Sequence, residues 1–596
     1  MKKNARHLLG ALTCLLLNQS LTAITLPPLV EQEVIGEQLL SYRYDHLRDS
    51  LRKDADSLVS NLTASQLAEA LKEDEVKTRI LLLSILNKLP TSAISNRDWT
   101  AEHRDFLNWL FISPQRLGSL LNELRPEDNA TKVLTVWSQL WKAEENPEFR
   151  EKYQSLALSL ALIYDQSTKV RVASEEYYPS LTLEERYSYF VNASETNKLV
   201  TSCAKMTPRE LIRVVDLKIS QEEIDWSLKK IRESRKNWGS TYSDIQYLME
   251  RAVENEDPYD NYILSEILKE GGVCRDQAHY SAQSGKARGI PATYVHGTGD
   301  RGPHAWVEFM PKDNTWDTYG SQGIINGYVY DPQRGKSVSS RLMWLESTED
   351  YQDESRVPIL LLLELARAAR SQQKWDSALT LLDQARRNAP LVVDIWKEKV
   401  ALTRSKKGQA EDWKKLLAAM ERNYDEHPNI LEDIASIRKE HLLPTLDESE
   451  MIKALESEIR SVARKNGSEG DLVSDAVSSL AAILVEKKSA KALRSLYKSS
   501  FRKYGEDLEM FGKLMTSYQQ HGKQLPEVAP EVPNDLEKFY KSVAETNSAE
   551  FFRGDMELNL YRRVSRAHRQ AGNTDDADSI DKKIERRQKS LNRKAL

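Results

Sequence analysis

From about Leu26 to Asp165 the apolar positions recur three and four residues apart. Leu67, Ala70, Leu71 and Val76 open the pattern, and Ile80, Leu83 and Leu86 continue it. Trp109, Leu117, Leu120 and Leu121 extend it, followed by Val133, Val136, Trp137 and Leu140. This period gives each segment one buried stripe and predicts a helical N-terminal region over residues 24–195. Loop punctuation falls at Leu89-Pro90-Thr91, Ser113-Pro114 and Arg125-Pro126. Further helices are predicted over Thr182–Phe190 and Pro208–Val215. Ser220 is placed as the N-cap of a helix over Gln221–Ser234, whose positive end Glu222 and Glu223 favour. The pattern then changes. Of the chain's 23 glycines, 11 lie between Gly271 and Gly335, among short strand-like runs at Ala292–Val295, Ala305–Met310 and Gly327–Tyr330. After Ser347 the helical period returns and persists to the end. The fold class expected is α+β, predominantly helical, with the strands confined to a central domain.

Composition narrows the function classes. With 85 basic and 90 acidic residues the net charge is −5, which argues against a nucleic-acid binder that relies on a basic surface. Three cysteines in 596 residues exclude a disulfide scaffold. Lys2, Lys3 and Arg6 precede an apolar stretch from Leu8 to Leu17 and the small residues Thr22 and Ala23. Residues 1–23 therefore read as a secretory signal peptide, and the protein as exported, periplasmic or extracellular. Removing that segment leaves 82 basic and 90 acidic residues, a net charge of −8. Acylation of Cys14 is the alternative, but Ala11-Leu12-Thr13 fits a lipoprotein cleavage box poorly. No transmembrane segment is expected, because the longest later apolar run, Val357–Leu363, stops at Glu364.

The chemistry concentrates in Gly271-Gly272-Val273-Cys274-Arg275-Asp276-Gln277-Ala278-His279. Two glycines predict a tight turn feeding a helix from about Cys274 to Arg288, with Ala278, Ser281, Ala282 and Gly285 as a small-residue stripe and Gly289 just past its end. A helix N-terminus stabilises a thiolate, so Cys274 is placed as a nucleophile. Thirty residues on, His304 opens a strand. His304, Trp306 and Glu308 fall on one face of it, and Ala305, Val307 and Phe309 on the other. An imidazole there can take the thiol proton and return it to a leaving group. His279 and His296 lack a second ligand at metal-binding spacing, and no metal or cofactor is assigned. Cys203 reads as a buried small residue, with a disulfide to Cys274 as the alternative in an oxidising compartment.

The order Gly-x-Cys-x-Asp-x-Ala, Arg-Gly-Ile-Pro-Ala and His-Ala-Trp-Val-Glu resembles the transglutaminase-like, or papain-like cysteine, superfamily. The resemblance implies Cys274 as nucleophile and His304 as general base and acid. It places an aspartate four residues after a tryptophan on the next strand, where this chain has Gly320 after Trp316. Asp317 is assigned as the third member, with Asp331 of Asp331-Pro332 close behind. The resemblance also implies oxyanion donors at the Cys274 backbone N–H and at an upstream aromatic group, Trp238 or Tyr242. Farther on, Ala366, Trp375, Ala378, Leu382, Ala385 and Pro390 fall at the spacing of a tetratricopeptide repeat. A degenerate copy ends at Pro428, and another resemblance lies at Ala571-Gly572-Asn573 with Ala577.

The expected organisation is a signal peptide (1–23), a helical N-terminal region (24–195), a transglutaminase-like domain (196–346), tetratricopeptide-like repeats (347–445) and a C-terminal helical region (446–596). Two functions follow. One is an exported cysteine enzyme acting on protein or peptide amides through a thiol acyl-enzyme, by hydrolysis or acyl transfer, with a protein partner available to the C-terminal repeats. The other is a helical interaction scaffold whose central domain binds polypeptide without turnover. The intact Cys/His pair favours the first, and the missing consensus aspartate the second.

Overall fold

Local sequence starts the helices in a recurrent way. At Thr207-Pro208-Arg209-Glu210 the threonine hydroxyl accepts the Glu210 N–H, the Glu210 carboxylate accepts the Thr207 N–H at 3.0 Å, and Pro208 occupies the first helical position. Ser220 and Glu223 form the same capping box, as Thr182 and Glu185 do. The computed structural model describes residues 26–31, 34–35, 38, 43–90, 101–165, 170–172, 175–177, 181–254, 258–299, 302–324, 327–447, 450–451, 453–455, 470–504, 508–546 and 555–594. The expected leader and Cys14 lie outside them.

Two compact units divide the chain, Met1–Gly408 and Gln409–Leu596. In the first, the N-terminal region includes helices α1 (Tyr44–Asn61), α2 (Asp74–Lys88), α3 (Pro114–Glu123), α4 (Ala130–Ala143) and α5 (Gln154–Ile163). Against the expectation of strands only in the central domain, it also holds a two-stranded antiparallel sheet, Val170–Val172 with Glu175–Tyr177. Next come α6 (Pro208–Val215) and α7 (Gln221–Lys230), the latter ending four residues before the expected Ser234, ahead of a 3₁₀ stretch at Arg235–Asp244. Helix α8 (Cys274–Ala287) leads into strands β1 (Ala292–Gly299), β2 (Gly302–Lys312), β3 (Thr315–Tyr319), β4 (Tyr328–Asp331) and β5 (Lys336–Ser339). They form one antiparallel sheet in the order β3-β2-β1-β4-β5. Helix α9 (Ser340–Glu346) follows, then α10 (Asp353–Ser371), α11 (Trp375–Asn388) and α12 (Val393–Ser405). Every described regular element of the second unit is a helix, with Tyr497, Phe501, Leu514 and Tyr518 in its core.

The sheet has two unlike faces, as the β2 alternation predicts. Ala305 and Val307 pack with Ala278 and Ala282 of α8. On the other face Glu308 is buried and accepts the indole N–H of Trp344 at 2.7 Å and of Trp306 at 3.4 Å.

An ionic cluster joins the central domain to the N-terminal helices. Glu123 pairs with Arg209 at 2.7 Å, and Glu346 with Arg334 at 2.7 Å, Arg125 at 3.3 Å and Arg209 at 3.4 Å. Asp331 pairs with Arg213 and with Arg334, both at 2.9 Å. All these side chains are largely buried. Burial alone would raise the Glu346 carboxyl, but Arg125, Arg334 and Arg209 together outweigh it and hold it well below the usual carboxylate range.

The division at Gly408 differs from the boundary expected at residue 347. Helix α10 is apolar almost all round: Ile359 to Leu363, Leu365, Ala366 and Ala369 are all buried. It packs on α1, α2 and α3 as well as on α11. Glu364, which ends the apolar run in the sequence, is itself buried and accepts Ser84 Oγ at 2.7 Å and Asn87 Nδ2 at 2.9 Å. Ala366, Ala378, Leu382 and Ala385, the small and apolar positions of the repeat spacing, lie in the α10–α11 interface region and are fully buried.

Two predictions follow from this packing. Glu346→Gln should destabilise the first unit by about 3–5 kcal/mol at pH 7, because it leaves buried guanidinium charge uncompensated. Since the folded-state pKa of Glu346 lies below the unfolded value of 4.5, its contribution is present above that pH and lost as the pH falls. Urea denaturation at several pH values should therefore show a steeper acid loss in the parent than in the variant. A fragment beginning near Glu349 should aggregate, because α10 then exposes its leucines, whereas a fragment beginning at Gln409 should remain soluble and helical by circular dichroism.

Candidate functional site

The turn before Cys274 requires its two glycines. Gly271 has φ +83°, and a side chain there would meet the Gln246 carbonyl. At Gly272 a Cβ would lie 2.7 Å from Asp276 Oδ2. Asp276 needs that space because its carboxylate caps its own helix, accepting the Val273 N–H at 2.8 Å. Arg251, at 3.2 Å, and the Tyr262 hydroxyl, at 2.9 Å, fix the same carboxylate. Cys274 is thereby held as the first residue of α8. At the other end Gly289, with φ +73°, and Ile290 return their N–H groups to Lys286 and Gly285, closing the helix as expected.

Small residues let α8 lie close to its neighbours. Trp238 of the 3₁₀ stretch packs against Gly285 and donates its indole N–H to the Ser281 carbonyl at 2.9 Å. The Tyr242 hydroxyl donates to the Ala305 carbonyl at 2.9 Å. Cys274 is half-buried and packs against a cluster that contains Tyr242, Ala278, Ala305 and Trp306. The Cys274 helix and the strand carrying His304 thus share one apolar cluster, with Tyr242 bridging them.

His304 Nε2 lies 2.6 Å from the carbonyl oxygen of Gly320. A carbonyl can only accept, so Nε2 carries the proton and Nδ1 bears the lone pair of the neutral ring. Gly320 can present its carbonyl there because it has φ +85° and lies on the Tyr242 ring, where a Cβ would be 2.9 Å from Cε1. Gly320 is the residue at the slot where the family pattern has its aspartate. A main-chain oxygen occupies the position expected of a carboxylate.

The two candidate acids lie elsewhere. Asp317 pairs with Phe309, five residues along β2 from His304. Its exposed carboxylate accepts the Thr318 N–H at 2.8 Å, and the structure does not bring it to the imidazole. Asp331 is buried in the ionic cluster, where Arg213 and Arg334 overcome the effect of burial and lower its pKa. Trp238 and Tyr242, the candidate oxyanion donors, both donate to main-chain carbonyls instead. At the start of α8 the Asp276 and Gln277 N–H groups donate to the Val273 carbonyl, which leaves those of Cys274 and Arg275 to meet an anion. Cys203 is fully buried, which pushes its thiol up to about 12, and both it and Cys274 are free thiols. His279 is buried against Tyr262, and burial lowers it to about 3. Among the described residues no group of three His, Cys, Asp or Glu side chains is placed to hold a metal ion. Nor is any helix among them long and apolar enough to cross a membrane.

Residues 229–319 match the family model of the transglutaminase-like superfamily, a span that includes Cys274 and His304 and ends one residue before Gly320. No curated protein matches the chain.

Iodoacetamide should therefore alkylate Cys274 at neutral pH while Cys203 stays unmodified until the protein unfolds, as read by peptide mass mapping. Asp317→Asn should leave the Cys274 rate unchanged. Gly320→Ala, which displaces the carbonyl that fixes the imidazole, should lower it by about tenfold or more. A loss with Asp317→Asn and none with Gly320→Ala would return the orienting role to the carboxylate.

Proposed function

We propose that the transglutaminase-like domain acts on protein or peptide amides through a thiol acyl-enzyme, on a protein exported by the leader at residues 1–23. The observation that carries the reading is the imidazole of His304, fixed through Nε2 by Gly320 on the strand that packs with the Cys274 helix. In this reading Nδ1 takes the proton of Cys274 Sγ as sulfur bonds to the amide carbon. The oxyanion is met by the first N–H groups of α8. The carbon–nitrogen bond then breaks, and the imidazolium gives its proton to the leaving amine. Water or a second amine attacks the thioester, Nδ1 accepts its proton, and the carbon–sulfur bond breaks as the thiol recovers that proton. Hydrolysis and acyl transfer share every group up to that last attack. The helices beyond the domain offer a surface for a protein partner.

Among the described residues a main-chain carbonyl, that of Gly320, holds His304 in place of a carboxylate, which favours a second reading, in which the domain binds polypeptide without turnover. Incubation with a glutamine-containing protein and a biotinylated amine separates the two. Biotin incorporation or new chain ends, both lost in Cys274→Ala, support the enzyme. Neither product, with polypeptide binding retained in Cys274→Ala, supports the scaffold.

A further inference from the structure

Large apolar side chains exposed to solvent are unevenly distributed. Of the eight found among the described residues, five (Tyr247, Met249, Tyr294, Tyr319 and Tyr328) lie between residues 247 and 328, around the cysteine helix and its sheet. Exposed apolar surface gathered in this way marks a contact site more often than chance.

Two rings of this group, Tyr294 and Tyr328, form a continuous strip with His296. Tyr294 and His296 lie two apart on β1 and so share a face, with ring centroids 6.3 Å apart. Tyr328 is the β4 partner of His296, and the two rings stack at 6.2 Å with an interplanar angle of 30°. The strip begins beside Cys274. Tyr247 forms a backbone bridge with Gly272, two residues before the cysteine. The phenols of Tyr247 and Tyr294 are both raised, first by burial and then by the charge of the Cys274 thiolate, as is that of Tyr242. Burial lowers the His296 imidazole, so the strip carries no formal charge at neutral pH. Its members are 36% exposed at Tyr294, 44% at Tyr247 and 45% at Tyr328, enough to bury against a ligand.

We propose that Tyr247, Tyr294, His296 and Tyr328 form the acyl-donor subsite, which receives an aromatic or large aliphatic side chain of a polypeptide next to the amide presented to Cys274. The inference rests on the reading of Cys274 as the nucleophile. Rings without charge reward apolar burial and edge-to-face contact, and the charges besides that of Cys274 that act on Tyr294, those of Arg275 and Asp276, face each other at 3.6 Å.

The test uses the full chain and three electrophiles, the vinyl sulfones of acetyl-phenylalanine, acetyl-alanine and acetyl-aspartate. Labelling of Cys274 is followed by intact mass, and each rate is referenced to that of iodoacetamide on the same variant. The phenylalanine probe should exceed the alanine probe by about tenfold or more and the aspartate probe by more again. In Tyr294→Ala/Tyr328→Ala the phenylalanine-to-alanine ratio should fall towards one. In Tyr294→Phe/Tyr328→Phe, which keeps both rings, it should persist. Equal rates for all three probes with rapid iodoacetamide labelling would overturn the subsite and leave the nucleophile standing. Slow iodoacetamide labelling would overturn both. Protection of Cys274 by chitotriose but not by acetyl-phenylalaninamide would reassign the strip to a glycan and overturn the proposal.

Discussion

The close approach of the cysteine helix to the strand that follows it is the constraint on which the site depends. Ala278 and Ala282 meet Ala305 and Val307, and Gly285 leaves room for the Trp238 indole. Helices and sheets pack at a distance set by the side chains between them, and interiors transmit even one methylene. A larger residue at Ala278, Ala282 or Gly285 would lift Cys274 away from the strand that carries His304. Tyr242 lies in the same layer: its hydroxyl holds the Ala305 carbonyl, and its ring supports Gly320. Cys274, the strand that carries His304 and Gly320 are therefore spaced by one shared layer of packing.

The ionic cluster works at a larger scale. Arg209 and Arg213 of α6 reach Glu123 of the N-terminal helices and the Asp331 and Glu346 carboxylates of the central domain. A well-packed apolar interface could be as stable, since buried ion pairs give back in desolvation much of what they gain. What the charges add is a demand for correct pairing. Each guanidinium left without its carboxylate is a large penalty, so the sheet end bearing Asp331 has one favourable seat on the helices.

Much of this was legible in the residues, for identifiable reasons. The helix at Pro208–Val215 and the start of the one at Gln221 announce themselves through capping residues that act within four positions. The cysteine helix and its glycine ends are equally local, and β2 follows its own alternation. What stayed hidden depends on partners far away in sequence. Glu364 reads as the polar stop of an apolar run, yet it is buried because Ser84 and Asn87 lie beside it. Asp331 reads as a candidate acid until Arg213 and Arg334 are seen to claim it. The group that orients His304 is illegible for a different reason. It is a main-chain oxygen, which every residue carries, so the only trace in the sequence is a glycine where a carboxylate belongs.

That exchange alters what the imidazole can do. An orienting carboxylate has two effects: it fixes the tautomer, and its charge stabilises the imidazolium that forms when the thiol is deprotonated. The Gly320 carbonyl keeps the first, because it too accepts only from an N–H, and it provides the second only through a dipole. An asparagine amide at this position could turn its NH₂ to the ring and stabilise the wrong tautomer, whereas a carbonyl fixed by φ +85° against Tyr242 has no such freedom. In the proposed mechanism the ring keeps its tautomer, while a thiolate–imidazolium pair would lack the carboxylate's charge. In that mechanism more of the burden of holding a thiolate would fall on the N–H groups and dipole at the start of the Cys274 helix. The Asp276 cap does not cancel this, because its carboxylate is engaged by Arg251, Tyr262 and the Val273 N–H.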